Sequence, residues 1–432
     1  MKKLLLTFMA LTAAIGVFAK YSTVEGQLDG STIYPGTIHT YILTIPEGVS
    51  EGALYVGLDG ILCNAPEIID SLSTAGVMPP TFGLYLQPGR ILDENGEVLR
   101  YNRSNEFDAT DSRFASFLEK ELLPYVEIQH NVKFSKNPND RMIFGLSSGG
   151  IAAFTAAWHR PDLFSKVFSG CGTFVPMRGG HDLQTIVRKH EPKPLRIFLQ
   201  DGYDDAWNAL FGSWFEANYV LGTALEFAGY DCKFDWGEGV HSVKRSSEIF
   251  KDVMLWMWRN YPAGITAGTT QNNYIAPLLI AGENWIKTNE GNEPNNEKVY
   301  AIYPDGSHGA TPYSNSNYIA QYLIDKDGKN LFEQPFYWLH SYDNSKLNIP
   351  SLKFDGDGML WVLTNAGIQI CDQNGRVRGI LSLPQDLSDI VQCSIEILDG
   401  EVKIKTPVAT YSRHLNVKAP EKGIRPKSQG QA

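Results

Sequence analysis

Between residues 34 and 260 the chain alternates short apolar runs with stretches of helical periodicity. Seven runs have the length and composition of strands: 41–45, 54–58, 82–86, 142–144, 167–168, 195–199 and 232–236. Five stretches between them have helical periodicity: 65–72, 111–123, 151–160, 213–228 and 247–258. We expect Pro124 to close the second helix, because proline disfavours the helical conformation in the residue before it. Repeated strand–helix units predict an α/β fold, with a mostly parallel sheet flanked by helices.

The pattern changes after a segment rich in Gly, Thr and Asn, which predicts a linker at 263–275. Beyond it, short strand-like runs alternate with Asp-Gly and Asn-Gly turns. Residues 276–418 are therefore predicted to form an all-β domain. The Asp-Gly pairs also suit calcium, but turn formation explains them more simply. The polar segment 419–432 is predicted to be a disordered tail.

The first 19 residues join two lysines to an apolar segment that ends in Val17-Phe18-Ala19. Small residues at positions −3 and −1 of a cut after Ala19 predict a signal peptide at 1–19 and a periplasmic or secreted protein. An uncleaved membrane anchor is the alternative, and the short apolar core argues against it. The formal net charge of −10 argues against nucleic acid and anionic membranes as partners.

The five cysteines have no short, regular spacing, and neither C-x-x-C nor H-E-x-x-H occurs. Most of these cysteines are expected to be buried thiols, and no disulfide pairing is assigned. No metal and no cofactor is predicted.

The segment GLSSG at 145–149 is a G-x-S-x-G pattern between an apolar run and an Ala-rich helix. A chain with 40 glycines can match so short a pattern by chance, so its surroundings decide what it means. A nucleophile elbow needs a strand, a tight turn and a helix, with glycines where side chains would not fit. This context is present, and Ser147 at its centre is the predicted nucleophile.

A serine nucleophile needs a general base and an acid that orients the base. His241 follows the last predicted strand, and Asp201, Asp204 and Asp205 follow the run at 195–199. The chain order is therefore Ser, Asp, His, which is the order found in α/β-hydrolases. A serine hydrolase with His241 as its base is predicted, and the spacing alone leaves the three aspartates open.

Two backbone N–H groups are predicted to form an oxyanion hole. One belongs to Ser148, directly after the nucleophile. The other is assigned to Ile61, which follows Gly60 in the loop after the run at 54–58. A simple strand-ending turn is the alternative interpretation of this loop.

Several stretches resemble the enterochelin-esterase-like branch of the α/β-hydrolases, close to feruloyl and acetylxylan esterases. They are GLDGI (57–61), RYNRSNEFD (100–108), GLSSGG (145–150), FLQDGYDDAW (198–207) and GEGVH (237–241). The resemblance covers 33–262 and implies a hydrolase domain at 20–262. It also implies that the acid is Asp205, three residues after the Gly of LQDG, with Asp204 in reserve.

Four residues are the predicted substrate contacts: Asp59, Arg103, Trp207 and Trp214. The resemblance puts Arg103 and Glu106 near the site, and a structural ion pair is the alternative role for both. Trp207 and Trp214 belong to an aromatic stretch, 207–219, that could line a pocket for ferulate. Packing in a helix core is the alternative for these aromatic residues, and an acetyl group stays equally open.

The segments QPFYWLH (334–340) and GMLWVLTNAGIQICDQNGRVRGILSLP (358–384) resemble part of a gluconolactonase-like β-propeller. A propeller blade takes about 40 residues, so this half has room for at most four blades. The chain has Pro350-Ser351 where that family carries a metal-binding Asp-Gly, so lactonase activity is not expected. The β domain is predicted to shape the esterase cleft or to hold polysaccharide.

Together these features predict an exported serine carboxylesterase that removes feruloyl or acetyl groups from an acylated oligo- or polysaccharide such as xylan. The predicted partner is that substrate, with no nucleic acid and no membrane after signal cleavage. A siderophore esterase is one alternative. A carbohydrate-binding protein on an inactive hydrolase scaffold is another, although no triad member is visibly missing. Acyl transfer to a sugar is a further possibility, and no oligomeric state is predicted.

Overall fold

A computed structural model describes residues 20–295, 298–387 and 389–426. The predicted signal peptide at 1–19 and the end of the predicted tail at 427–432 lie outside these ranges. The described residues form an α/β region up to residue 262, the first region, and a β region over 276–418, the second region. Every helix in the described ranges is too short or too polar to cross a membrane.

Thirteen strands belong to the first region: β1 (Tyr21–Asp29), β2 (Ile38–Pro46), β3 (Glu51–Leu58), β4 (Thr81–Leu86), β5 (Arg90–Leu92), β6 (Val98–Tyr101), β7 (Lys133–Phe134), β8 (Arg141–Leu146), β9 (Lys166–Gly170), β10 (Arg196–Gly202), β11 (Trp207–Asn208), β12 (Gly212–Ser213) and β13 (Asp231–Gly237). Strands β11 and β12 form a separate hairpin, and the other strands form one sheet of 11 strands. Its order is β13-β10-β9-β8-β3-β4-β2-β5-β6, with β1 beside β2 and β7 beside β3. The strands from β13 to β4 in this order are all parallel, which confirms the predicted fold class.

The first region has eight helices of the α type: α1 (Ala65–Thr74), α2 (Arg103–Phe107), α3 (Arg113–Phe117), α4 (Leu123–His130), α5 (Ser148–His159), α6 (Leu183–Lys189), α7 (Trp214–Phe227) and α8 (Val243–Met257). They cover both faces of the sheet. On one face, Ile69 of α1 and Phe250 of α8 share a core with Tyr55, Phe144 and Phe168 from the strands. The helices α3 to α7 contribute to the core on the opposite face.

The prediction that Pro124 closes a helix is wrong. A π-helical turn, Leu118–Leu122, joins α3 to α4, and Pro124 is the second residue of α4. Proline has no N–H to donate, and its ring crowds the preceding turn of a regular α-helix. After the wider π turn, α-type hydrogen bonding begins again with α4 at Leu123. Pro124 therefore lies near the start of a helix, where a backbone N–H needs no partner within the helix. The helical segment therefore continues to His130 and ends at Asn131, whose φ is 51°.

The second region contains twelve strands, and one short helix, α9 (Ile275–Leu278), begins one residue before it. The strands are β14 (Ile286–Thr288), β15 (Ala301–Ile302), β16 (His308–Pro312), β17 (Tyr318–Ile324), β18 (Asn330–Trp338), β19 (Ser351–Phe354), β20 (Leu360–Thr364), β21 (Gly367–Cys371), β22 (Val377–Leu381), β23 (Ser394–Leu398), β24 (Glu401–Lys405) and β25 (Thr410–His414). They form three antiparallel sheets of four strands, β15-β16-β17-β18, β19-β20-β21-β22 and β14-β25-β24-β23. The all-β prediction for this half is confirmed, while its likeness to a gluconolactonase propeller stays a prediction.

Polar side chains join the two regions. Asp343 of the second region accepts hydrogen bonds from Arg113, at 2.9 Å, and from Arg178, at 2.8 and 2.7 Å. Elsewhere in the interface, Arg413 and Glu191 form an ion pair at 2.8 Å, with side chains 8% and 9% exposed. Because Arg178 belongs to the loop after β9, the second region holds one of the loops at the carboxyl edge of the sheet.

The predicted tail begins at 419, and its described part lies against the second region. The N–H of Gly423 donates to the carbonyl of Pro304 at 2.7 Å. The guanidinium of Arg425 lies 3.5 Å from the carboxylate of Asp305. These contacts fix where residues 419–426 lie.

Candidate active site

Ser147 lies in a sharp turn between β8 and α5. Its φ is 57° and its ψ is −122°, a backbone conformation that a residue with a side chain rarely adopts. A Cβ on Gly145 would come within 2.1 Å of the carbonyl oxygen of Gly149, so no other residue fits there without movement. This is the strand, strained turn and helix of a nucleophile elbow.

The imidazole of His241 connects Ser147 to Asp205. Its Nε2 lies 2.9 Å from Ser147 Oγ, and its Nδ1 lies 2.6 Å from Asp205 Oδ1. Asp205 is in the loop after β10, and His241 is in the loop after β13. Asp204 is exposed, and its backbone N–H donates to Gly239 O at 3.0 Å. Of the aspartates that sequence reasoning left open, the structure brings Asp205 to the histidine.

Asp205 is ionised in this arrangement. Burial opposes its ionisation, but hydrogen bonds from His241, Asp201 and the N–H of Ala206 hold the pKa of Asp205 below its ordinary value. The carboxylate side chain has no exposed area, whereas the imidazole is 32% exposed. An ionised Asp205 keeps the proton of His241 on Nδ1, which leaves Nε2 free to accept from the Ser147 hydroxyl.

Asp201 is a second buried carboxyl group, beside Asp205. Burial, and then the hydrogen bond and charge of Asp205, raise the pKa of Asp201 far above its ordinary value. Within the described residues, no N–H or O–H group of another residue donates to Asp201 Oδ2 or to Asp205 Oδ2 when both carboxyl groups are deprotonated. A proton on Asp201 satisfies both oxygens, because the protonated carboxyl donates to Asp205. From sequence Asp201 was one of three candidate acids, and nothing in the pattern indicated this supporting position.

The loop after β3 lies against the elbow. A Cβ on Gly149 would come within 3.0 Å of Asp59 Oδ2. The N–H of Gly60 donates to Leu86 O at 3.1 Å, so it is not free for an oxyanion. In the described part of the chain, the N–H groups of Ile61 and Ser148 donate to no protein acceptor. These two N–H groups, the ones predicted from sequence, are therefore free to donate to a bound group.

The predicted substrate contacts Asp59 and Arg103 bond to each other. The guanidinium donates from Nε to Oδ1 and from Nη2 to Oδ2, both at 2.8 Å. Glu106 does not pair with Arg103, and its buried carboxylate accepts from His39, Gly89 N–H and Asn102. Arg103 therefore forms a structural ion pair, which was its alternative role, and the partner in that pair is Asp59. It fixes the position of the loop that carries Ile61.

The two predicted tryptophans differ in their surroundings. Trp214 is buried, and its Nε1 donates to Thr173 Oγ1 at 3.3 Å, which in turn lies 3.4 Å from Ser147 Oγ. Trp207 is 72% exposed in the β11–β12 hairpin. Sequence reasoning missed Thr173, because a lone threonine after a strand carries no motif.

A cavity of about 220 Å³ is lined by Phe174 and Ser213, the chain neighbours of Thr173 and Trp214. Its lining is mostly apolar, with Phe174, Val175, Phe211 and Leu221 among the lining residues. Glu216 and His181 add polar groups to it. The cavity suits an apolar or aromatic group.

One cluster in the described ranges has the spacing of metal ligands: Cys171, Asp205 and His241, whose ligand atoms lie within 4.8 Å of one another. Asp205 and His241 already bond to each other. Burial, and then the charge of Asp205, raise the pKa of Cys171 well above its ordinary value, so the thiol stays protonated and is a poor ligand. All five cysteines are free thiols, and Cys232 is the one that is only half-buried.

The family model described as "Putative esterase" matches residues 91–266. The match covers less than half of the chain, and this segment is similar to that family. The match identifies the chain as a carboxylic ester hydrolase and confirms the predicted esterase resemblance. It includes Arg103, Ser147, Asp205 and His241, whereas the loop with Gly60 and Ile61 lies before it.

Solved structures of esterases are similar to somewhat more than half of this chain. A ferulic acid esterase is 16% identical, with a TM-score of 0.43 over 56% of this chain and 99% of that chain. The enterobactin esterase from Shigella flexneri is 20% identical, with a TM-score of 0.42 over 55% of this chain and 59% of that chain. The feruloyl esterase module from Clostridium thermocellum is 12% identical, with a TM-score of 0.41 over 57% of this chain and 90% of that chain. No curated protein matches the sequence.

Proposed function

We propose that this esterase is an exported serine enzyme that removes acyl groups from an oligo- or polysaccharide such as xylan. Ser147 is the nucleophile, His241 the general base and Asp205 the orienting acid. The hydrogen-bonded series Ser147–His241–Asp205 within a strained elbow carries the proposal. A buried, ionised carboxylate, an imidazole and a serine hydroxyl in this order are the parts that acyl transfer to serine requires.

In the first half of the reaction, Ser147 Oγ attacks the ester carbonyl carbon while its proton passes to His241 Nε2. The imidazolium that forms is stabilised by Asp205. Negative charge develops on the carbonyl oxygen, where the N–H groups of Ile61 and Ser148 donate to it. His241 then gives its proton to the leaving alcohol, and an acyl-enzyme remains.

In the second half, water attacks the acyl-enzyme and His241 takes a proton from it. The same two N–H groups hold the second oxyanion. Collapse of this intermediate returns the proton to Ser147 Oγ and releases the carboxylic acid. No cofactor takes part, because each proton moves between side chains of this chain, the substrate and water.

The cavity beyond Thr173 supports an aromatic acyl group such as feruloyl over acetyl. Its apolar walls offer area for an aromatic ring, which an acetyl group would leave unfilled. Phe174 and Phe211 in the lining provide aromatic edges and faces for such a ring. An acetyl ester would react at the same serine but gain little from this cavity.

Export supports a polymeric substrate. The lysine-headed apolar segment at 1–19 is the basis for a periplasmic or secreted location. A polysaccharide cannot pass into the cytoplasm, so an enzyme that acts on it must meet it outside. The second region, which bonds to the loop after β9 through Arg178, is proposed to shape the cleft for such a substrate.

The test is hydrolysis of p-nitrophenyl acetate, methyl ferulate and acetylated xylan by the protein from Lys20 onward. Ser147→Ala is expected to lower kcat by roughly 10³-fold or more on each ester that the parent cleaves. Ser71→Ala, at an exposed serine of α1, is the matched control and should keep the parent rate. Preference for methyl ferulate would support the feruloyl assignment. Unchanged turnover in Ser147→Ala, or no turnover by the parent on any ester, would overturn the proposed function.

A further inference from the structure

A groove of about 550 Å³ lies on one face of the sheet, over β1, β2 and the end of β4. This is the face on which α1 and α8 cover the central strands. Glu25 and Gln27 of β1 are exposed here, and Thr40 and Ile42 of β2 are half-buried. The volume is in the range of ligand pockets, roughly 300–1,000 Å³.

One row of polar side chains crosses the groove toward the elbow. Gln27 lies directly opposite Thr40 in the pairing of β1 with β2. The backbone N–H of Gln87 donates to Thr40 O at 2.9 Å, which brings Gln87 alongside. A Cβ on Gly60 would come within 2.5 Å of Gln87 Nε2, so the row ends against the loop that carries Ile61. The groove and the proposed oxyanion hole therefore share a wall.

A second row forms a less polar floor. Glu25 lies opposite Ile42, and Ile42 lies opposite Tyr85 in the pairing of β2 with β4. Tyr85 is buried, and Ile42 packs against the same core. The groove thus combines an apolar floor with amide, hydroxyl and carboxylate groups at its sides.

This lining matches a neutral sugar. Side-chain amides and hydroxyls both donate and accept, as sugar hydroxyls require, and an apolar floor can pack against the C–H face of a sugar ring. Among the lining residues, all within the described ranges, Glu25 is the only one with a charged side chain. A carboxylate without a cationic neighbour in the lining repels uronates and phosphates.

The order of the strands puts the two cavities on opposite sides of Ser147. Strand β8, which leads to Ser147, lies between β9 and β3 in the sheet. The loop after β9 carries Thr173 and leads to the apolar cavity. The loop after β3 carries Gly60 and borders the polar groove. An ester bound at Ser147 therefore has an apolar space on one side and a polar space on the other.

We propose that the groove over β1, β2 and β4 binds the alcohol half of the substrate as neutral sugar residues. This inference rests on the proposed function, because it takes Ser147 as the point where the ester is held. The acyl group then lies in the cavity beyond Thr173, and the sugar chain runs along Gln87, Thr40 and Gln27.

The groove can be tested without turnover, in the Ser147→Ala protein. Titration calorimetry with xylohexaose should show saturable binding, and Gln27→Trp, which fills the groove, should weaken that binding by at least about tenfold. The double variant Gln27→Ala, Thr40→Val removes two polar groups without adding bulk and should weaken binding in the same direction. Thr23→Ala, an exposed residue of β1 on the same face but outside the groove, is the matched control.

A kinetic measurement on the Ser147-containing protein adds the reacting ester. Gln27→Trp should lower kcat/KM on feruloylated xylo-oligosaccharide by about tenfold or more relative to kcat/KM on p-nitrophenyl acetate. Xylohexaose binding that Gln27→Trp does not change, or no binding at all, would overturn the groove assignment. Groove-dependent binding in a protein that cleaves no ester would keep the groove and overturn the proposed function.

Discussion

Replacing Asp205 with Asn tests the part of the site that orients the base. Asp205 Oδ1 accepts from both His241 Nδ1 and the N–H of Ala206, and Oδ2 faces the protonated Asp201. An amide cannot reproduce this pattern in either orientation. With its NH₂ at the Oδ1 position, it meets the Ala206 N–H and His241. With its NH₂ at the Oδ2 position, it meets the Asp201 proton.

Both orientations also remove the negative charge that stabilises the imidazolium. In the first orientation, the NH₂ group donates to Nδ1, so the histidine proton moves to Nε2. A protonated Nε2 can no longer accept from the Ser147 hydroxyl. Loss of the correct tautomer and of the charge costs roughly 10⁴-fold in kcat in a serine triad. At 1.36 kcal/mol for each tenfold change, this is about 5 kcal/mol of transition-state stabilisation.

The assay is kcat on the ester that the parent cleaves fastest, with Asp204→Asn as the matched control. Asp204 is exposed and one residue away, so its variant should stay within about twofold of the parent. Circular dichroism and thermal unfolding establish that both variants are folded. A folded Asp205→Asn protein within tenfold of the parent rate, or a larger loss in Asp204→Asn, would refute the reasoning.

Three further variants probe the elbow, the buried acid and the interface. Gly145→Ala should abolish most activity or folded yield, because its Cβ would lie 2.1 Å from Gly149 O; activity near the parent rate would contradict this. In urea unfolding, the free energy of unfolding of Asp201→Asn should increase relative to that of the parent as the pH rises from about 5 to about 8. The reason is that the raised pKa of Asp201 makes the stability of the parent fall as the pH rises. A constant difference in the free energy of unfolding across this range would count against the protonated Asp201. Asp343→Ala should lower the free energy of unfolding by about 1–2 kcal/mol. This value is discounted because the two arginine partners of Asp343 are partly exposed to solvent. An unchanged melting temperature would argue against a stabilising contact between Asp343 and these arginines.

The central strands and the elbow could be predicted because local sequence determines them. The run before Ser147 is apolar throughout, since β8 is buried on both faces, and the glycines at 145 and 149 mark a turn in which a side chain would clash. The positions of Asp205 and His241 after their strands follow from the parallel order of the sheet. From spacing alone, however, the choice among the three aspartates stayed open, because it depends on the path of one loop.

Other features depend on contacts between distant parts of the chain. Asp343 bonds to Arg113 and Arg178, which are 230 and 165 residues away in sequence. The protonated state of Asp201 depends on burial beside another carboxylate, which composition does not reveal. The continuation of a helix through Pro124 depends on a π turn with no sequence signature of its own.

Covalent trapping of the nucleophile tests the central claim most directly. An aryl phosphonate ester transfers its phosphonyl group to an activated serine and releases the aryl alcohol, leaving a stable adduct. We predict stoichiometric labelling of the parent, with the added mass on the peptide that contains Ser147, and loss of labelling in His241→Ala. Labelling at a different residue, or equal labelling of Ser147 in His241→Ala, would contradict the assignment of Ser147 and His241 as nucleophile and base.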